Sequence, residues 1–208
     1  MLEPQIVLPA RQQIPDWRLI FGNWHPLKVE IGPGQGDFLL DLAREEPDAN
    51  FVAIEIRNKR VEKIKARAAR AGVKNAQVWM GDAKEVLPSL FAPGTVDTFF
   101  IHFPDPWVKR KHERRRLIQL EFVHIMHTLL VPQGKAYLTT DVANYAEHML
   151  QCFQAQGGFT TVYAESGHRD YAYHHSVHES KFKLGGRTIN YFYFSKNANN
   201  ANTGTGTV

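Results

Sequence analysis

The apolar positions of this chain fall into short, mostly apolar runs, separated by segments whose apolar residues recur at helical spacing. Residues 27–31, 51–56, 76–80 and 96–102 are the first four runs. Each is too short for a helix, which predicts strands, and 96–102 reads as a buried one. Residues 38–43, 57–71, 84–90, 112–130 and 142–156 carry helical periodicity, and Gly72 and Gly157-Gly158 close two of these segments. Residues 134–141 predict a fifth strand, and 159–164 and 190–194 two more in succession. Strands alternating with helices predict an α/β fold, a mostly parallel seven-stranded sheet with helices on both faces.

No repeat or linker divides the chain. Residues 1–26 hold Pro4, Pro9, Pro15 and Pro26 and read as an irregular arm that lays Trp17, Phe21 and Trp24 on the body. One domain is expected over 27–195. Its 165–188 segment is a long loop rich in His and Arg, of the kind that in compact domains is functional or disordered. Residues 196–208, mostly Asn, Ala, Thr and Gly, predict a disordered tail.

Charge changes this picture at one place. The net charge is +4, yet residues 108–116 alone hold six Lys or Arg against one Glu, leaving 19 basic and 20 acidic residues elsewhere. The basic excess is therefore a local patch, which points to a polyanion such as nucleic acid. No wide apolar face flanks the patch, so a membrane surface is a poorer partner. No apolar run approaches the roughly 18 residues of a membrane span. The first residues lack the basic start and apolar core of a signal peptide. Cys152, the single cysteine, permits no intrachain disulfide and fits a reducing compartment. These features predict a cytoplasmic protein.

The candidate chemistry sits at the ends of the strands. Gly32-Pro33-Gly34-Gln35-Gly36 follows the first strand and opens a helix, the context in which glycines let a backbone approach a ligand. Glu30 stands just before the first glycine, where it would repel a pyrophosphate but attract an ammonium or sulfonium group. That favours S-adenosyl-L-methionine over a dinucleotide. Glu55 ends the second strand 19 residues after Gly36, the place of a ribose-binding acid. Asp82, after the third strand, belongs near an adenine edge or caps the next helix. The fourth strand runs into Phe103-Pro104-Asp105-Pro106-Trp107, where two prolines frame one carboxylate in a stiff turn. The cationic block follows at once.

This motif order is similar to that of class I S-adenosylmethionine-dependent methyltransferases, with their Rossmann-like fold. The 103–116 block resembles the bacterial tRNA (guanine-N7-)-methyltransferase family, with its Pro-Asp-Pro-Trp turn, following lysine and basic helix start. Glu30-Ile31-Gly32-Pro33-Gly34-Gln35-Gly36, Gly81-Asp82-Ala83, Thr139-Thr140-Asp141 and Ser180-Lys181-Phe182 support the resemblance, which spans about residues 27–194. It implies methylation of guanosine N7 in the variable loop of tRNA, at position 46. Glu30, Gly32, Gly34, Gly36, Glu55, Asp82 and Asp105 then bind or frame the methyl donor, and Asp105 is catalytic. Lys109, Asp141, Ser180, Lys181, Phe182 and Lys183 match the substrate-contacting positions. Lys111, His112, Arg114, Arg115 and Arg116 match the RNA-contacting ones. No metal is expected, and the protein is a monomer or homodimer.

One departure stands out. The family pattern runs Thr-Lys-Phe-Glu where this chain has Ser180-Lys181-Phe182-Lys183, a cation in place of a carboxylate. It leaves open an alternative, a tRNA-binding protein that keeps the fold with weak or lost catalysis. A methyltransferase acting on a small molecule or protein is disfavoured by the 109–116 cluster.

Overall fold

The computed structural model describes residues 14–166, 186 and 188–198. Helix α1 (Trp17–Phe21) precedes β1 (Leu27–Ile31), α2 (Asp37–Glu45), β2 (Asn50–Glu55), α3 (Asn58–Arg70), β3 (Ala76–Met80) and α4 (Ala83–Leu90). Then come β4 (Val96–His102), a 3-10 turn (Arg110–Arg115), α5 (Leu120–Leu129), β5 (Leu130–Thr140), α6 (Ala143–Gln156), β6 (Phe159–Ser166) and β7 (Asn190–Lys196). The seven strands form one sheet in the order β3-β2-β1-β4-β5-β7-β6. All pairs are parallel except those made by β7, which runs antiparallel to both β5 and β6.

The alternation of side chains along these buried strands feeds two cores. Leu27, Val29 and Ile31 of β1 pack with residues of α4, α5 and α6 on one face. Phe51, Ala53, Phe100 and Tyr137 pack with Phe38, Leu39, Val61 and Ile64 of α2 and α3 on the other. Helices thus cover both faces, and the uniform burial of β1 and β2 follows.

Two expectations need revision. The arm before β1 contains an ordered helical turn, capped by the Asp16 carboxylate on the Arg18 and Leu19 amides. Trp17 packs on Phe91 with 5.5 Å between ring centroids and donates its indole N–H to Leu90 O at 2.8 Å. Trp24 does not pack inward; it is 75% exposed, and the Arg18 guanidinium lies over its ring.

The helix expected over 112–130 is broken. Its first part is the 3-10 turn, residues 116–119 are not helical, and only 120–129 are α-helical. Tertiary contacts override helical spacing here. The backbone groups that a continuous helix would have paired are met by side chains: Ile118 N donates to Tyr145 Oη, Gln119 Nε2 to Glu113 O, and Lys84 Nζ to Arg116 O. Strand β5 accordingly starts at Leu130 rather than 134.

Candidate active site

The glycine turn after β1 is shaped by backbone conformation. Gly32, Gly34 and Gly36 have φ of 72°, 60° and 78°, which L side chains rarely adopt. Gly36 is also pinned by packing, since a Cβ there would lie 2.9 Å from Ile64 of α3. Next to Gly32 and Gly34 the space is open. Helix α3 clips this turn down: Lys63 Nζ donates to Gln35 Oε1 at 2.7 Å, and Arg67 reaches Gln35 O and, at 2.6 Å, Asp37. The start of α2 is thereby held at the sheet edge with its first amides unpaired by the helix.

Parallel pairing brings the carboxyl ends of five strands to that edge. Ile31 is in register with Ile54 and Ile101, Glu55 with Met80, and His102 with Thr139. The strand order reverses between β1 and β4, the switch point at which open α/β sheets bind ligands. Glu30, Glu55, Asp82, Asp105 and Asp141 all lie at or just beyond this one edge.

Glu30 is 4% exposed and its Oε2 has no hydrogen-bond partner among the described residues. Its Oε1 is 3.8 Å from His102 Nδ1, too long for a hydrogen bond but close enough for charge to matter. Burial pushes the Glu30 carboxyl above its usual range; His102 opposes the shift, and Asp37 and Glu55 add to it. His102 Nδ1 and Thr139 Oγ1 are also buried without a partner among the described residues. The register puts Glu30, His102 and Thr139 on the same sheet face, the α2 side. Buried polar atoms are normally paired, so three unpaired ones in a row beside open glycines suit a polar, cationic ligand. S-adenosylmethionine fits that donor set. His102 and Thr139 were not singled out as site residues in the sequence, although Thr139 lies in the Thr139-Thr140-Asp141 motif; for His102 the one signal was a polar residue ending a largely apolar strand.

Glu55 is 2% exposed, and its Oε1 accepts the Arg57 amide at 2.9 Å. Among the described residues its Oε2 has only a 3.4 Å contact with the half-exposed Arg60, which ribose hydroxyls can displace. Asp82 accepts the Lys84 amide as the N-cap of α4, at 3.0 Å. Capping uses one oxygen, so this role and an adenine-edge role are compatible.

The turn that carries Asp105 is strained at both ends. Phe103 and Trp107 have φ of 48° and 41°, uncommon for bulky residues and characteristic of functional turns. Phe103 N donates to Thr139 O at 2.9 Å, continuing the β4–β5 pairing into the turn. Trp107 is flanked by the Arg115 guanidinium, 5.1 Å from its ring, and by His112. Asp105 itself is exposed. The prolines and these ties hold its carboxylate outside the sheet edge without engaging it.

Beyond the turn, Lys109, Arg110, Lys111, Arg114 and Arg115 are exposed and His112 is half-buried. Arg116 departs from expectation. It is 2% exposed, so it offers no surface for a phosphate. Its Nε donates to Pro106 O at 2.9 Å and its Nη2 to Asn144 Oδ1 at 3.1 Å. Glu113 lies 3.4 Å away, and the guanidinium covers the Tyr145 ring at 4.9 Å. Burial pushes the Tyr145 phenol up to about 12, so it stays neutral there. Asp141 is half-buried just after β5. Residues 180–183 and the histidine-rich loop lie outside the described residues. Among the described residues, no group of three His, Cys, Asp or Glu is gathered for a metal.

A Rossmann-like sheet with this switch point, glycine turn and acid at the end of β2 defines a class I methyltransferase fold. The chain matches the family described as "Putative methyltransferase" over residues 25–190. It is 38% identical to the tRNA (guanine-N(7)-)-methyltransferase of Aliivibrio salmonicida over 151 residues, 73% of this chain and 63% of that one. It is 36% identical to the protein of the same name from Vibrio vulnificus over 165 residues, 79% of this chain and 69% of that one. The chain thus spans just under two thirds of the first relative's length and slightly more of the second's. Among solved structures it is similar to the antibiotic-resistance methyltransferase Kmr, with a TM-score of 0.63 at 15% identity, covering 92% of this chain and 95% of that one. The chain belongs to the tRNA (guanine-N7-)-methyltransferase family.

Proposed function

We propose that this protein transfers a methyl group from S-adenosylmethionine to N7 of a guanosine in tRNA, at position 46 of the variable loop. The observation that carries the reading is the continuity of two surfaces. The proline-framed Asp105 follows β4, which pairs with the Glu30 strand at the switch point, and five exposed cations begin four residues further on. Small substrates need no such cationic surface; a phosphate backbone does. The names of the relatives support the same substrate class. Among the described residues no helix is long and apolar enough to cross a membrane, and we infer a cytoplasmic enzyme working as a monomer or homodimer.

The donor supplies an electrophilic methyl group on a sulfonium. Guanine N7 has an in-plane lone pair and no proton, so the protein need provide no general base. Its work is alignment and charge stabilisation. Glu30 holds the cationic end of the donor, Glu55 its ribose hydroxyls, and Asp82 lies at its adenine edge. Positive charge grows on the guanine ring during transfer, and the Asp105 carboxylate offsets it. Asp141 accepts the guanine N1–H and amino group, a pattern adenine does not present. Lys109 and residues 180–183 complete the substrate contacts, and Lys111, His112, Arg114 and Arg115 take the phosphates.

Labelled S-adenosylmethionine, unmodified tRNA and identification of the methylated nucleoside test this reading. 7-Methylguanosine is expected; tRNA binding without methyl transfer would favour the catalytically weakened alternative. Substituting Arg114→Ala together with Arg115→Ala is expected to weaken tRNA binding and flatten its dependence on log salt by roughly 1.5. An unchanged slope in filter-binding titrations would remove both from the phosphate-contacting set.

A further inference from the structure

Arg116 closes the basic block in sequence but leaves it in space. A buried guanidinium is stable only if its donors are met, and here, beside Glu113 of its own segment, the contacts reach separate parts of the edge. Nε holds the carbonyl of Pro106, the residue directly after Asp105. Nη2 holds Asn144, and the guanidinium face covers Tyr145, both in the first turn of α6 after Asp141. Its own carbonyl receives Lys84 Nζ from the first turn of α4, two residues after Asp82. One residue thus ties the turn carrying Asp105 to the segments carrying Asp82 and Asp141.

We propose that Arg116 is a positioning residue for methyl transfer: a clamp that fixes the Asp105 turn against the start of α6, acting through Pro106 and not on RNA. The planar fork of arginine reaches Pro106 O and Asn144 Oδ1 from two separate nitrogens in a fixed geometry, which the single nitrogen of lysine does not reproduce. With Phe103 and Trp107 both in the left-handed region, the turn needs an external tie to keep its conformation. The proposal rests on the methyl-transfer reading above for its kinetic consequence, but not for its structural one.

The test compares Arg116→Lys and Asn144→Ala with the Arg114→Ala/Arg115→Ala pair in the full chain. Arg116→Lys is expected to lower kcat about tenfold, the effect of losing one charge-assisted hydrogen bond. The tRNA dissociation constant should stay within about twofold and the salt slope should not change, because no phosphate contact is lost. Amide exchange should quicken at Asp105, Trp107, Val108 and Lys109. Asn144→Ala removes one anchor with the arginine retained, and a drop in kcat at unchanged tRNA affinity is expected there too. If Arg116→Lys does not fold, Asn144→Ala decides: unchanged kcat and exchange overturn the clamp. A salt slope flattened in Arg116→Lys as in the surface pair would make Arg116 a phosphate ligand and also overturn it. Should the wild-type protein form no 7-methylguanosine, the functional reading fails separately. Exchange, which needs no substrate, still judges the clamp, and protection unchanged from wild type overturns it.

Discussion

Asp105→Ala is expected to lower kcat by about 10²–10³-fold, the usual cost of removing one preorganised group aimed at developing charge. The fold should survive, because the Asp105 side chain is exposed and the turn is held by other atoms: Phe103 N on Thr139 O, and Arg116 on Pro106 O. tRNA binding should be unchanged or slightly tighter, since the lost charge is an anion beside the phosphate-binding cations. Asp105→Asn separates charge from shape. It keeps the size and hydrogen-bonding reach of the side chain, so a loss as large as that of alanine identifies the charge as the active feature. Single-turnover kinetics with saturating tRNA and donor make the measurement, and an unchanged rate in Asp105→Ala would remove Asp105 from catalysis.

What was legible in the sequence followed from local rules. The strands were legible because their apolar runs are too short for helices and each is followed by a turn or a segment of helical spacing. The glycine turn announced itself because Gly32, Gly34 and Gly36 sit at positive φ. What was not legible depended on partners distant in sequence. Arg116 has the same composition signal as Arg114 and Arg115, and only Asn144, Tyr145 and the Pro106 carbonyl draw it inward. The break at 116–119 has no glycine or proline to mark it; its backbone is satisfied by side chains from α4 and α6. Trp24 and Trp17 look alike in a proline-rich arm, yet only Trp17 meets Phe91 and the Leu90 carbonyl. His102 and Thr139 read as strand residues until the pairing of β4 with β5 sets them beside each other and on the face of Glu30.

Glu30→Gln should stabilise the protein and weaken its hold on the methyl donor, two effects of opposite sign from one buried charge. Burial raises the Glu30 carboxyl in the folded state, so the folded protein binds that proton more tightly than the unfolded chain does. Below the unfolded value both states are protonated and ionisation costs nothing. As pH rises from there through the raised folded value stability falls, and above it the full cost of a buried carboxylate stands. Glutamine never carries that charge, so Glu30→Gln is expected to melt higher than wild type at pH 8, with the gap closing as pH is lowered towards 4. Donor affinity should fall about 10- to 100-fold, matching the roughly 1.5–3 kcal/mol of a charge-assisted hydrogen bond. Titration with S-adenosylhomocysteine, which keeps the ammonium but lacks the sulfonium, identifies the cation Glu30 serves. Equal losses for both ligands assign it to the ammonium, and a loss for the donor alone assigns it to the sulfonium. A lower melting temperature at every pH, or unaltered affinity for both ligands, would show that Glu30 is a structural carboxylate whose missing partner is not the donor.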